Sequence, residues 1–431
     1  MIEIAKNFMN PRVLLILLSV SSLVLILVTT CAFPSPLIQS TYAKKAKELP
    51  GSQSPTSSSS SPSSSASSYT SSPSSCITYD STARLITISC QSVSLSDIYN
   101  QINNHGVLDK QPQGVWILNA GIVIDKGAFL HIDSNDTKWL KIVADGSNAY
   151  PIDVLGSLRI DSVKVTSWNP QTNSYVVSSG SRELVGQGYK IVKGSPRPYI
   201  TIEGGATGTT DITNSEIAYL GYESGIGGGA TGLRYAGGDG SIIRGNDIHD
   251  LYFGFYSSGV GGLVIENNHV HDNGHYGLDP HTGTHDMIIR NNTVHDNGSI
   301  GIICSFNCFH ITIENNKVWN NARIGIMFSR NMHDSIARDN IVNNETQCIF
   351  LSQSTNNEIY NNIVSGCSEY GIHIFHNSAN NAVHNNTIIN SAKDVFLDGA
   401  GTGNNLYSNK VINPITTAAG AATIQNGKDE G

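Results

Sequence analysis

An asparagine returns at nearly constant intervals through the second half of the chain. It stands at Asn246, Asn268, Asn292, Asn316, Asn340, Asn362, Asn386 and Asn409, with gaps of 22, 24, 24, 24, 22, 24 and 23 residues. A glycine keeps the same step at Gly232, Gly254, Gly277, Gly301 and Gly325. Cys348 then takes its place once, and Gly371 resumes it. Between the markers, apolar residues alternate in short runs: Leu263/Ile265, Met287/Ile289, Ile311/Ile313, Ile302/Cys304, Ile326/Phe328, Ile349/Leu351 and Ile372/Ile374. Alternation at period two is the pattern of a strand with one buried face. Short strands, tight turns and a step near 23 residues describe one coil of a parallel β-helix. One Asn per coil lets side-chain amides stack into a hydrogen-bonded ladder along the axis. Leucine-rich repeats have a similar period but need Leu at fixed places and a helical segment, and neither occurs here. The sequence therefore reads as all-β, a right-handed parallel β-helix over residues 111–412.

The remaining segments flank this solenoid. Residues 76–110 read as an N-terminal cap, with a hairpin bridged by Cys76 and Cys90 and a helix in Ser94–Asn104 that covers the first coil's open edge. Lys6 and Arg12 precede an uncharged apolar run, Val13 to Phe33, of 21 residues. That length suits a membrane span, which needs ~20 residues, better than the shorter core of a cleaved signal. Positive charge before it places the rest of the chain outside. Residues 1–33 are thus expected to anchor the protein at a membrane, or to direct it to the periplasm or exterior if cleaved. Residues 34–75, rich in Ser and Pro, read as a flexible stalk and 413–431 as a flexible tail. Residues 222–240 break the repeat with a Gly-rich insertion, and insertions in a solenoid often fall on its binding face.

The coil register also sorts side chains. With the recurring Gly as position 1, positions 2 and 4 point inward and positions 3 and 5 outward. In the Gly277 coil the outward residues are Asp279 and His281, and Tyr276 precedes the Gly. Tyr256 falls beside Asp279 on the preceding coil, and Ser305 and Ser329 continue from His281. A strip of polar side chains along a solenoid suits an extended polymer. The net charge of −8 gives no basic excess for nucleic acid. An acidic polymer would need a few placed cations. His249, His271 and His295, near the Asn turns, read as solvated turn residues. Cys304 and Cys308 lack zinc spacing, and Gly237-Gly-Asp239-Gly is a lone fragment rather than a calcium-binding array. No metal and no cofactor is expected, and the chain is expected to be a monomer.

The hexapeptide Tyr276-Gly-Leu-Asp279-Pro-His281 resembles the Y-G-[FI]-D-P-H signature of mannuronan C5-epimerases. Ile217-Ala-Tyr219-Leu-Gly-Tyr222, Leu251-Tyr252-Phe-Gly-Phe-Tyr256, Val294-His-Asp-Asn-Gly298 and Trp116-Ile-Leu-Asn-Ala resemble further segments of that family. The similarity covers roughly residues 76–412 and leans toward the periplasmic, calcium-independent branch rather than the secreted, modular one. It implies an epimerase that inverts C5 of mannuronate within an anionic, alginate-like polyuronate. By this resemblance His281 is the base, Tyr276 or a water beside it supplies the opposite proton, and Asp279 orients His281 or hydrogen-bonds the substrate carboxyl. Tyr256, Ser305, His285, Tyr222 and Tyr235 are candidate substrate contacts.

The periplasmic branch carries an Arg in a G-I-I-x-S-R segment one coil after the signature. Here that segment is Gly301-Ile-Ile-Cys-Ser-Phe306, and the Arg appears a coil later in Gly325-Ile-Met-Phe-Ser-Arg330. Coils stack ~4.8 Å apart, so Arg330 starts roughly 10 Å along the axis from His281. Arg330, or Arg323 before Gly325, is expected to neutralise the reacting carboxylate. Two other functions share these features. A polysaccharide lyase uses the same first step, and a non-catalytic carbohydrate-binding solenoid would need the groove alone.

Overall fold

The computed structural model describes residues 75–185, 188–225, 230–418 and 425–426. The chain divides into Met1–Thr70 and Ser71–Gly431, and the described residues all fall in the second unit. The apolar run Val13–Phe33 and nearly all of the Ser/Pro-rich stretch lie outside them. Among the described residues no helix is long and apolar enough to cross a membrane.

Three sheets of fourteen, thirteen and twelve strands run along the described unit, parallel except where Ile77–Asp80 pairs with Leu85–Ile88 and Leu108–Gln111 with Val115–Leu118. Each coil contributes one short strand to each sheet. Ile288–Arg290, Thr293–His295 and Ile300–Ser305 form one such set. Strand pairs join each coil to the next in register, as Ile288 to Thr312, Thr293 to Lys317 and Ile300 to Ile324. Inward positions carry aliphatic columns with no exposed surface, such as Ile243, Ile265, Ile289 and Ile313 on one sheet and Val270, Val294, Val318 and Val342 on another. Burial of this kind contributes about 1.5–3 kcal/mol per side chain.

The asparagine ladder is present. From Asn246 to Asn409, each side-chain nitrogen donates to the next coil's side-chain oxygen at 2.9–3.0 Å. The same oxygens accept the preceding Asn backbone N–H, as Asn292 N to Asn316 Oδ1 at 2.9 Å. The residue before each ladder Asn turns the corner in the left-handed region: Asn267, Asn291, Asn315, Asp339, Asn361 and Asn385 have φ of 54–57°. Asn and Asp tolerate that conformation better than other side chains do. The recurring Asn-Asn pair thus has two causes, a backbone turn and a side-chain ladder. A second ladder runs through Asn273, Asn297 and Asn321 to Glu345 at 2.8–2.9 Å.

The helix Leu95–Ile102 has Ser94 and Asp97 as a reciprocal capping box and buries Leu95 and Ile98. Cys76 and Cys90 form a disulfide, and a second joins Cys348 to Cys367, while Cys304 and Cys308 are buried free thiols. Beyond residue 412 the chain still adds to the solenoid, since Thr416–Thr417 pairs with the strand Lys393–Asp398. The strands Gly180–Val185 and Gly188–Lys193 pair antiparallel as a separate two-stranded sheet, which falls in sequence between the first-sheet strands Ile152–Val154 and Ile200–Ile202.

Candidate functional site

The strand Tyr276–His281 lies in the first, fourteen-stranded sheet, between Phe253–Ser258 and Ile300–Ser305. Leu278 points inward with no exposed surface, between Phe255 and Ile302. Period two then turns Asp279 and His281 to the outer face. Register places Tyr256 beside Asp279, and Ser258 and Ser305 on either side of His281.

Asp279 is 2% exposed, and its Oδ1 has no hydrogen-bond partner. Burial pushes its carboxyl well above the usual carboxylate range, against the opposing pull of Arg330. His281 has Nδ1 2.6 Å from Thr282 Oγ1 and 3.4 Å from the Tyr256 hydroxyl. Burial, then the charge of Arg330, lowers its pKa to about 4, so the ring is neutral. Among the described residues no hydrogen bond joins Asp279 to His281, and the ring is oriented by Thr282 and Tyr256 instead. Burial and the neighbouring Asp279 push the Tyr256 hydroxyl up to about 12.

Arg330 reaches back toward this pair. It follows the strand Ile324–Ser329 in a left-handed corner conformation, φ 52°. Its Nη2 donates to Ser305 Oγ at 3.3 Å, on the coil adjoining His281. Its guanidinium carbon lies 3.9 Å from the Phe306 ring centroid, and that ring is 4.8 Å from the His281 ring. Phe306 is thus a platform between cation and imidazole. Arg330 Nε is buried without a partner. An open pocket of about 570 Å³ continues along the axis from Phe306 and Arg330 past Asn331, Gln353, Thr355 and Asn377.

Tyr276 stands at the other end of the strand, roughly 16 Å from His281 between Cα atoms at ~3.3 Å per residue. Its ring stacks on His275 at 4.0 Å and meets Phe253 at 5.1 Å. Behind it Tyr252 donates to Glu223 at 2.6 Å, and Arg182 grips the same carboxylate through two nitrogens at 2.7 and 3.1 Å. Burial, then Arg182, lowers His275 to about 4, with Arg323 adding to the effect. Arg323 is exposed and sits at this Tyr276 end, whereas Arg330 serves the His281 end.

The other expected contacts separate. Tyr235 is fully buried and donates to the Thr210 carbonyl at 3.0 Å, so it is a core residue and offers nothing to a ligand. This corrects its assignment as a substrate contact, and the Gly232 register explains it, since position 4 points inward. His285 lies on a different corner, bonded to Asp286 at 2.8 Å and stacked on Phe309 at 5.0 Å. Tyr222 is half-buried beyond the Tyr256 end, in the electrostatic neighbourhood of Tyr199. A residue absent from the expected set is Arg234, outward at position 3 and paired in register with Tyr256. Its Nε is buried without a partner. Beyond it on the same outer column stands Asp153, raised to about 6 by burial and by Glu203.

On the second sheet the outer columns hold a separate cluster. Side-chain atoms of Asp247, His269 and His271 lie within 4.8 Å of one another, a donor set of one carboxylate and two imidazoles.

Over residues 201–426 the chain matches the family model described as periplasmic copper-binding protein (NosD). That span is more than half of the 431 residues. The chain belongs to the NosD family. It is also 27% identical over 202 residues to a mannuronan C5-epimerase of Pseudomonas fluorescens, covering 45% of this chain and 35% of that protein. A mannuronan C5-epimerase of Pseudomonas putida is 28% identical over 203 residues, covering 45% and 36%. The chain thus spans about a third of the length of these curated relatives. A crystal structure of a double mutant of the periplasmic alginate epimerase AlgG superposes with a TM-score of 0.66 at 22% identity, covering 80% of this chain and 84% of that one. A tailspike protein shares the solenoid at TM-score 0.54 and 17% identity, covering 72% and 61%. The shared architecture is a parallel β-solenoid.

Proposed function

We propose that this protein is a C5-epimerase of β-D-mannuronate residues in an alginate-like polyuronate, yielding α-L-guluronate. The observation that carries the reading is the pair Asp279 and His281. They stand two residues apart on one outer strip, and burial raises the pKa of the carboxyl of one and lowers that of the imidazole of the other, so each is pushed toward its uncharged form. The C5 proton of a uronate is barely acidic while the neighbouring carboxylate is charged. A protonated Asp279 donates a hydrogen bond to that carboxylate, and Arg330 supplies positive charge from the next coils, so the enolate-like state is stabilised. Neutral His281 accepts the proton through its ring. A bound anionic uronate raises the His281 pKa from its low resting value, which strengthens the base when it is needed. Tyr276 stands at the other end of the strand, so it or a water beside it, reaching across the groove, returns a proton to the opposite face. Tyr256 and Thr282 orient the imidazole. Arg323 at one end and Arg234 beside Tyr256 are positioned for neighbouring uronates. The names of the curated relatives, mannuronan C5-epimerases, agree with this chemistry. Both disulfides suit an oxidising compartment outside the cytoplasm.

A kinetic comparison of two Asp279 variants tests the assignment. Asp279→Asn keeps a hydrogen-bond donor and is expected to retain a few per cent of turnover on polymannuronate. Asp279→Ala removes it and is expected to cost about 10²–10³-fold. Equal losses in both variants would contradict a donor role. Olefinic proton signals in the product, in place of guluronate signals, would make the reaction β-elimination.

The NosD description names copper as that family's ligand. The Asp247, His269 and His271 donor set fits such an ion, and it stands apart from the groove on another sheet.

A further inference from the structure

Two segments that the repeat does not require meet beside the active strand. One is residues 169–199, which carry the two-stranded sheet of Gly180–Val185 and Gly188–Lys193. The other is the Gly-rich segment that opens at Tyr222.

Three sets of contacts lock them together. The Arg197 guanidinium has no exposed surface and donates to the Gly221 and Leu220 carbonyls at 2.6 and 2.9 Å and to the Val176 carbonyl at 3.3 Å. Along the backbone, Glu223 N donates to the Ser179 carbonyl at 2.7 Å and Gly194 N to the Glu223 carbonyl at 3.0 Å. The Glu223 carboxylate, 2% exposed, then accepts from Arg182 Nε at 2.7 Å and Nη2 at 3.1 Å, from Gly225 N at 2.7 Å and from the Tyr252 hydroxyl at 2.6 Å. Burial opposes its charge, but the bonds from Tyr252, Arg182 and Gly225 outweigh burial and hold the carboxyl below its usual range.

The interlock ends on the coil of the active strand. Ser179 packs flush on Gly274, where an added Cβ would stand 2.4 Å from Ser179 Oγ. Gly180 is left-handed, φ 77°, and an added Cβ there would meet Glu223 Cβ at 2.9 Å. His275 N donates to the Tyr252 carbonyl at 2.8 Å. The rings of Tyr252, His275 and Tyr276 lie one over another, with centroids 5.9 and 4.0 Å apart. Phe253 closes the side of this stack, 5.1 Å from Tyr276. Burial and the bond to Glu223 push the Tyr252 phenol well above its usual range, so Tyr252 keeps its proton and serves to hold the stack.

We propose that Glu223 is a positioning residue for Tyr276. It clamps the inserted sheet and the Tyr252 ring against His275, and the stack sets where the Tyr276 phenol stands at the edge of the groove. The inference rests on the reading of Tyr276 as the group that returns the proton, and it names what holds that group in place. A displacement of ~1 Å in such a group can cost on the order of 10²-fold in rate.

The test uses the full chain with its tyrosines isotope-labelled at Cζ, so that NMR reports each phenol. The Tyr276 signal is the one lost in Tyr276→Phe. Glu223→Gln keeps the side-chain shape and removes the charge, and Tyr252→Phe removes one hydroxyl. Both are expected to shift the Tyr276 signal and its titration with pH, and to lower kcat on polymannuronate about 10- to 100-fold with KM little changed. Glu183→Gln, exposed on the same inserted sheet, changes neither. Thermal midpoints identify the folded variants, and Tyr252→Phe carries the test if Glu223→Gln does not fold. An unmoved Tyr276 signal in the folded variants would overturn the proposal, as would losses of kcat that only follow the thermal midpoint. A signal moved by the variants of a parent that makes no guluronate would uphold the clamp and refute the epimerase reading instead.

Discussion

Replacing Asn316 with alanine removes a middle rung of the asparagine ladder. Asn316 has no exposed surface. Its Oδ1 accepts from Asn292 N at 2.9 Å and from Asn292 Nδ2 at 3.0 Å. Its Nδ2 donates to the Ile289 carbonyl at 2.9 Å and to Asn340 Oδ1 at 3.0 Å. Alanine leaves the buried Asn292 N–H without its acceptor, which costs about 1–3 kcal/mol, and removes three further bonds worth ~1 kcal/mol each. The sum is about 5 kcal/mol. Asn409, the last rung, is half-exposed and makes three such bonds, to Asn386 N, Asn386 Nδ2 and the Val383 carbonyl. Water replaces part of what Asn409→Ala removes there, so its expected cost is about 2 kcal/mol. Urea unfolding followed by circular dichroism reads both as midpoint shifts at unchanged slope. If the two variants lose equal stability, or if Asn316→Ala loses under about 1 kcal/mol, the ladder is ornament and the aliphatic columns alone hold the coils.

Three further outcomes follow from the electrostatics. Arg330→Ala is expected to lower turnover about 100-fold or more and to move the acid limb of the pH–rate profile upward, because Arg330 depresses the His281 pKa. A loss of turnover with an unmoved profile would mean that Arg330 acts elsewhere. Glu345 ends the second ladder, with Oε1 accepting from Asn321 at 2.8 Å, Oε2 buried without a partner, and a pKa pushed up to about 8 by burial. A folded pKa above the unfolded one gives stability that is present below about 4.5 and lost as pH rises through 8. Glu345→Gln, which carries no charge, should therefore gain a few degrees in Tm over the parent at pH 9 and little at pH 5, and parallel Tm curves would refute this. Phe306→Ala removes the platform between Arg330 and His281, and a cation–π contact of ~0.5–2 kcal/mol predicts a 2- to 30-fold loss of turnover. Unchanged turnover would show that Ser305 alone holds Arg330.

The solenoid was legible because its cause repeats. Each ladder Asn is required once per coil, so Asn246 to Asn409 advertise the step. The first coils were not legible for the same reason. Ser215 stands where the ladder would continue, its N–H reaching Asn246 Oδ1. The hairpin of Gly180–Val185 and Gly188–Lys193 also breaks the spacing between the strands Ile152–Val154 and Ile200–Ile202.

In the site, register and motif carried different information. The hexapeptide drew out Tyr276, Asp279 and His281. The Gly232 register by itself puts Arg234 outward and Tyr235 inward, and the structure has them so. Two features depend on geometry that spacing does not encode. Arg330 reaches back to Ser305 from a left-handed corner, and Asp279 Oδ1 has no partner while Thr282 and Tyr256 meet the imidazole Nδ1. His249, His271 and His295 end strands just before the turns and are mostly covered, so they are not the solvated turn residues expected. Their 22- and 24-residue gaps stack them, with rings 5.1 and 5.3 Å apart. The His269-Val-His271 pair, two apart on a strand, was the signal that they share a face with Asp247.

The central claim is that one groove exchanges the C5 proton of a uronate through His281. The direct measurement is a proton NMR time course of polymannuronate with the protein in deuterated water, beside the His281→Ala variant. The account predicts guluronate signals that grow with deuterium at C5 in the parent and are absent in the variant. Guluronate formed without deuterium at C5, or formed equally by the variant, would contradict it.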